Sequence, residues 1–337
     1  MNIDNSEKYN FIDLLKGIGI FLVVWGHTMF PRSVLIYSFH MPLFFFISGF
    51  LYKNKPLKDF LRSKIIRLYV PYIVFTILSW TFYLIMLGLQ ERQDLIDAHL
   101  PKIISILNGS GKNGGNDPIW FLTCLIVVSL LFWCLDNLLK KPGLIFAATL
   151  GVSGLGYHLG ANRIFLPFKA DVAFMALIFF YLGHYSREQN WLEQVKKINR
   201  NDVIIILIFC TMLHYFLAHL NICLTGIPKV SMISNNLGNY FLFYLTAVLA
   251  ILVLLIIGYK IGTIHCLNFL GHHSLIILAT HKPLLYIFKS ILNSHVNTNS
   301  RLYGILISIV VIIVTLPLMY LLQSQHSQSN GETYNKA

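Results

Sequence analysis

The chain has 337 residues, 56% of them hydrophobic and 12% charged, with a mean hydropathy of +0.65. A soluble domain carries about 25% charged residues; here apolar stretches of about 20 residues recur along the whole length, which predicts an all-α, polytopic integral membrane protein. Their continuous rather than alternating character excludes a β-barrel. The formal net charge of +12 is spread over loops and mixed with aromatics, a topology signal that excludes a nucleic-acid partner.

Ten spans are predicted, at 11–30, 34–52, 68–89, 118–138, 142–160, 168–186, 202–220, 237–258, 267–288 and 302–323. They make one membrane domain over 1–337, with the helical bundle in 11–323 and tails at 1–10 and 324–337. Placing the N-terminus inside puts fifteen Lys and Arg on the cytoplasmic side against nine on the other, and the Lys53 to Arg67 run carries most of that bias. Both termini are therefore expected inside. The first stretch contains Asp13 and Lys16 and lacks a small-residue cleavage site, so it reads as a retained span. The five cysteines lie in or beside apolar segments without CxxC spacing and read as small hydrophobes.

In span 1, FIDLLKGIGIFLVVWGHTMF, Lys16 and His27 are eleven residues apart. That spacing is about three helical turns, so both share one face, roughly 16 Å apart along the axis. Asp13 lies one turn before Lys16 on nearly the same face. Ionisable groups facing lipid cost at least a few kcal/mol, so this stripe is expected to face a protein interior or a wet cavity. In span 2, SVLIYSFHMPLFFFISGFLY, His40, Phe44 and Ser48 share a face. Pro42 is expected to kink the helix just below His40, and Gly49 to admit a neighbouring backbone. A short link makes spans 1 and 2 antiparallel neighbours, so His27 and His40 can line one cavity. The competing reading of His27 is a packing histidine bonded to a neighbouring helix.

Before span 3, Arg62, Lys64 and Arg67 read either as a positive-inside anchor or as cations for phosphates. Span 4 opens PIWFL, where Trp120 is normally an interfacial belt residue. His272 and His273 stand at the start of span 9. His281 and Lys282 are mid-span beside Pro283, and Lys282 is expected to face a cavity because it snorkels poorly from there. The chain has no HExxH, Walker loop, GxSxG or acidic cluster, and a zinc site is not expected.

Taken in order, DLLKGIGIFLVVWGH, FHMPLFFFISGFLY, RSKIIRLYVPY, PIWFL and GHHSLIILATH resemble the bacterial acyltransferase-3 family. The flavour is closest to its stand-alone sugar O-acetyltransferase branch, similar to fucose 4-O-acetylases, and the likeness runs from Asp13 to about Tyr320. The resemblance implies a membrane O-acyltransferase of the bacterial inner membrane, using cytoplasmic acetyl-CoA and no metal. The acceptor is a hydroxyl of an envelope glycan, a lipopolysaccharide or a lipid-linked precursor. It implies that His27 is catalytic, as general base or transient acyl carrier, and that Lys16 lies on the acyl-CoA path. Lys64 and Arg67 match the family's basic pair, with Lys at a first position where Arg is commoner. His281 matches its late-span histidine. Asp13 joins the catalytic group by pairing with Lys16 and holding its rotamer. His40 and Ser48 are expected to orient the acceptor, and Trp120 and Phe121 to stack on sugar rings, with core or lipid packing as the plain alternative for the aromatics. The donor would reach His27 through a tunnel along the Lys16–His27 stripe. A transporter or flippase of a glycolipid or small anion, and a membrane sensor without turnover, are the alternatives. An acyl group larger than acetyl and the oligomeric state are left open.

Overall fold

The computed structural model describes residues 5–28, 33–99, 109, 116–292, 304 and 306–317. The parts of predicted span 10 other than residues 304 and 306–317, and the far ends of both tails, fall outside the described residues. The helices are α1 (Asn5–Thr28), α2 (Val34–Tyr37), α3 (His40–Phe50), α4 (Leu57–Lys64), α5 (Val70–Leu89), α6 (Gln93–His99), α7 (Trp120–Leu139), α8 (Pro142–Ala161) and α9 (Ala170–Glu188). They continue with α10 (Trp191–Lys197), α11 (Arg200–Thr225), α12 (Tyr240–Ile261), α13 (His265–His272), α14 (Ser274–Leu292) and α15 (Leu306–Pro317). No strand occurs among the described residues. Among the described residues, six helical stretches are long and apolar enough to cross a membrane: Asn10–Thr28, Leu57–Leu89, Asp117–Leu139, Pro142–Ala161, Arg200–Thr225 and Tyr240–Ile261. The all-α membrane fold is as the composition demands.

Association of helices in lipid depends on close packing, because lipid tails are as apolar as leucine. Glycines supply that closeness twice, reciprocally. A Cβ on Gly17 of α1 would meet the Leu267 carbonyl of α13, and one on Gly271 of α13 would meet the Asp13 carbonyl of α1. A Cβ on Gly49 of α3 would meet the Phe180 carbonyl of α9, and one on Gly183 of α9 the Phe46 carbonyl of α3. The centre is α9, whose residues from Asp171 to Tyr181 are almost all buried. It packs against α3, α7 and α8.

Two predicted spans are broken helices. Span 2 divides at Ser38–Phe39, where Phe39 leaves the helical region (φ −142°) and the Ser38 hydroxyl donates back to Leu35 O at 2.7 Å. The kink assigned to Pro42 is thus corrected. Pro42 sits in the first turn of α3, where its missing N–H is one of the orphans of a helix start, and the break precedes His40. Span 9 divides at His273 into α13 and α14. Inside α14, Pro283 cannot donate to the Ala279 carbonyl. Asn116, at the head of α7, donates to that carbonyl instead at 2.7 Å, which ties α7 to α14 beside Lys282. Pro71 acts similarly on α4 and α5. It removes the donor for the Arg67 carbonyl, and the helix widens through a π turn, Ile65–Tyr69, with Val70 N–H bonded to Ile65 O.

Candidate active site

Along α1, residues 16, 20, 23 and 27 follow one another by four, three and four positions, the spacing of a single helical face. Lys16 and Ile20 line one cavity of about 230 Å³. Val23 and His27 line a second, of about 210 Å³. Met41 of α3 lines both, so one side chain stands between a Lys16 chamber and a His27 chamber. The Lys16 chamber is mostly apolar, walled by Phe44, Ile47, Phe121, Leu125 and Leu278. The His27 chamber is polar, walled by Tyr37, His40, Asp117, Trp120, Lys229 and Lys282.

His27 is held on two sides. Its Nδ1 is 3.1 Å from the Tyr37 hydroxyl, and its ring stacks on His281 with centroids 5.2 Å apart. Gly26 makes the first contact feasible. A Cβ there would lie 3.2 Å from the Tyr37 ring and 3.3 Å from Ile36. Tyr37 also packs edge-on against His40 at 5.0 Å, and Lys229 Nζ lies 4.0 Å over the Tyr37 ring. The Nδ1 of His40 faces Ile36 O at 2.7 Å, and that of His281 faces Ile277 O at 2.9 Å. A carbonyl only accepts, so both rings carry the proton on Nδ1 and, when neutral, a lone pair on Nε2. His281 is fully buried and its Nε2 has no hydrogen-bond partner among the described residues.

The remaining wall comes from two loops. Asp117 and Pro118 form a 3-10 turn ahead of Trp120. Lys229 and Ser231 belong to the 226–239 loop, which buried groups pin beneath it. Lys169 donates to Ile233 O at 3.1 Å, and Asn235 Nδ2 donates to Gly156 O at 3.0 Å and to Asp171 at 3.4 Å. Burial and the like charge of Lys282 pull the Lys229 ammonium below the ordinary lysine range.

Of the residues singled out from the sequence, His27, His40 and Trp120 line the His27 chamber, while His281 stacks on His27 behind it. Trp120 is 4% exposed, so it is a chamber wall and not a belt residue. Lys282 faces the chamber as its mid-span position demands. Lys16 lines the other chamber and pairs with Asp13 at 3.0 Å. Asp13 pairs with Lys16 as expected, but it lies fourteen residues from His27, about 21 Å along the helix, so it stands with Lys16 and not among the groups at the reacting end. One placement is corrected. Ser48 lines the Lys16 chamber with Phe44 and Phe121, its hydroxyl donating to Phe44 O at 2.8 Å, so it is not beside His40. Lys64 and Arg67 stand apart from both chambers. Lys64 Nζ donates to Ser129 Oγ at 2.9 Å, whereas Arg67 is exposed, and its neighbour Leu68 lines the Lys16 chamber. His273 is buried and bonded to Phe269 O, and His272 is exposed. The cysteines are all free, two of them exposed rather than buried. No group of side chains suited to a metal occurs among the described residues.

Sequence reasoning missed Tyr37, Met41, Asp117 and Lys229. Tyr37 precedes His40 by one turn, a spacing that carries a usable signal. Asp117 directly precedes the PIWFL string. Lys229 had only the appearance of a loop charge, and nothing in its neighbourhood marks it.

The molecule is thus a helical membrane protein with a polar histidine chamber and an apolar chamber that share the Met41 wall. The acyltransferase-3 family model, described as an acyltransferase domain, matches residues 9–322, and the chain belongs to that family. It is a membrane acyltransferase. No curated protein and no solved structure matches it.

Proposed function

We propose that the protein moves an acetyl group from cytoplasmic acetyl-CoA to a hydroxyl of a cell-envelope sugar, in a polysaccharide, a lipopolysaccharide or a lipid-linked precursor, in the bacterial inner membrane with both termini cytoplasmic. The observation that supports this most is the face Lys16, Ile20, Val23 and His27, which runs through both chambers. A long, thin thioester arm suits an apolar passage, and a sugar hydroxyl suits the polar end. In this reading Arg67, with Lys64 released from Ser129, and Lys16, braced by Asp13, hold the donor's phosphates on the cytoplasmic side.

The chemistry is a single displacement. In this mechanism His27 carries its proton on Nδ1, within hydrogen-bond distance of Tyr37 Oη, and Nε2 is the base. Nε2 takes the acceptor hydroxyl proton as that oxygen attacks the thioester carbonyl carbon. The C–S bond breaks, and the imidazolium returns its proton to the departing thiolate of coenzyme A. The variant in which Nε2 itself attacks and carries the acyl group uses the same residues. His40, with its Nε2 lone pair, orients the hydroxyl. His281 supports the His27 ring, and Lys282 steadies the developing oxyanion. Trp120 offers a face for a sugar ring.

The test is acetyl transfer and acetyl-CoA binding by the purified protein, wild type beside His27→Ala and Lys16→Ala. Loss of transfer by about 10²- to 10⁴-fold in His27→Ala with donor binding retained, and weaker donor binding in Lys16→Ala, are the expected results. Transport of a glycolipid without any acetyl transfer would move the flippase reading to the front.

A further inference from the structure

We propose that Asn116 is a positioning residue for the acyl transfer: its side-chain amide holds the Pro283 break of α14 in one geometry, and through it sets the His281 ring and the Lys282 side chain at His27. This rests on the acyltransferase reading above, with His27 as the base, and adds to it a residue outside both chambers.

Asn116 occupies the N-cap of the 3-10 turn that leads into α7. An asparagine there ordinarily turns its side-chain oxygen back onto the N–H groups of its own helix. Here it caps nothing. Its Nδ2 instead donates twice across the bundle, to Ser79 Oγ of α5 and to Ala279 O of α14, each at 2.7 Å. Its Oδ1 is buried with no hydrogen-bond partner among the described residues. A forgone cap and an unpaired buried acceptor both cost stability, so this side chain is committed to something other than its own helix. The Ala279 carbonyl accounts for the commitment. Pro283 deprives that carbonyl of its i+4 donor, and Ala279 is buried. Asn116 supplies the missing N–H. A proline break lets a helix bend by different amounts, and a donor from a second element fixes one of them. His281 and Lys282 stand between Ala279 and Pro283, inside the turn so fixed. The His281 ring stacks on His27 with centroids 5.2 Å apart, its Nδ1 held by Ile277 O, and Lys282 lines the His27 chamber. The turn that carries Asn116 also gives Asp117 and Pro118 to the chamber wall. One amide therefore sets the wall and α14 relative to each other by directional bonds.

Pro283→Ala supplies the test, because it returns a backbone N–H at position 283 and makes the Asn116 bond to Ala279 O redundant. Acetyl transfer, acetyl-CoA binding and hydrogen–deuterium exchange of the α14 amides are measured on the full chain in detergent, for the wild type, Asn116→Ala, Pro283→Ala and the double variant. Asn116→Ala should lower kcat by about 10- to 100-fold, the effect of a displacement near 1 Å, with acetyl-CoA binding unchanged and faster exchange in α14 near Pro283. In the Pro283→Ala background the same change should cost less than about threefold, the non-additivity of two groups that serve one carbonyl, and exchange should match that of Pro283→Ala alone. Ser79→Ala, which removes the other partner, should keep kcat within about threefold of wild type. Where Asn116→Ala alone fails to fold, or Pro283→Ala alone is inactive, exchange in the double variant against Pro283→Ala decides by the same rule. Wild-type transfer by Asn116→Ala overturns the inference. So does an equal loss in both backgrounds, which would give Asn116 a task other than the Ala279 carbonyl, and so does a loss confined to acetyl-CoA binding. Failure of the parent reading looks different: no acyl transfer by the wild type, with the exchange pattern as expected, upholds Asn116 as the residue that positions α14 while removing the acyltransferase.

Discussion

At the scale of single residues, the contact on which the proposed chemistry depends is Tyr37 Oη against His27 Nδ1. Tyr37→Phe keeps the ring and removes the hydroxyl. Transfer should fall about tenfold, the cost of roughly one hydrogen bond to a group that becomes charged, while the KM for acetyl-CoA stays unchanged. Steady-state kinetics with varied donor checks this, and a changed KM with unchanged kcat would remove Tyr37 from the mechanism. Lys229 supplies a pH test. Its ammonium is destabilised in the fold by burial and by Lys282, so between its folded and unfolded pKa the unfolded chain binds more protons and stability rises with pH. Thermal midpoints in detergent should therefore rise across the alkaline range, and Lys229→Gln should flatten that rise without lowering thermal stability.

At the scale of elements, the features that matter are breaks. The division at Phe39 lets α2 place Tyr37 over His27 while α3 places His40 and Met41 on the chamber walls. The break at His273 frees α13 to pack on α1 and α14 to point Lys282 at the chamber. Met41 lines both cavities, and in the proposed function it stands between the donor and acceptor ends. Met41→Trp adds bulk where the chambers meet. It should abolish transfer and leave acetyl-CoA bound at the Lys16 end, read as donor binding without product in a single-turnover assay. Transfer at the wild-type rate would show that the donor arm takes another route.

At the scale of the whole molecule, the chambers exist because α1 with α13 and α3 with α9 approach at backbone contact. Gly49→Ala and Gly183→Ala each drive a Cβ into a neighbouring main-chain carbonyl, which cannot swing away as a side chain can. Each should destabilise by about 1–3 kcal/mol, the usual cost of overpacking, seen as a lowered midpoint in thermal unfolding in detergent. Gly143→Ala has nothing within 4 Å of the new Cβ and serves as the neutral control.

The sequence by itself determined the membrane class, the helical content and the register of α1. Those depend on local composition and on a 3.6-residue period, so Lys16 and His27 on one face and His40 nearby were legible without a fold. The late lysine was legible for a similar reason, since an ammonium in mid-span must find a cavity. Tertiary structure alone decided which polar groups meet. Ser48 has the right type and shares a face with His40 but lines the other chamber. Lys229 and Asp117 sit in loops whose positions depend on buried contacts far away in the chain, Lys169 with Ile233 and Asn116 with Ala279. Periodicity carries no information about such contacts, because it describes one helix at a time and the chamber is made where five helices and two loops converge.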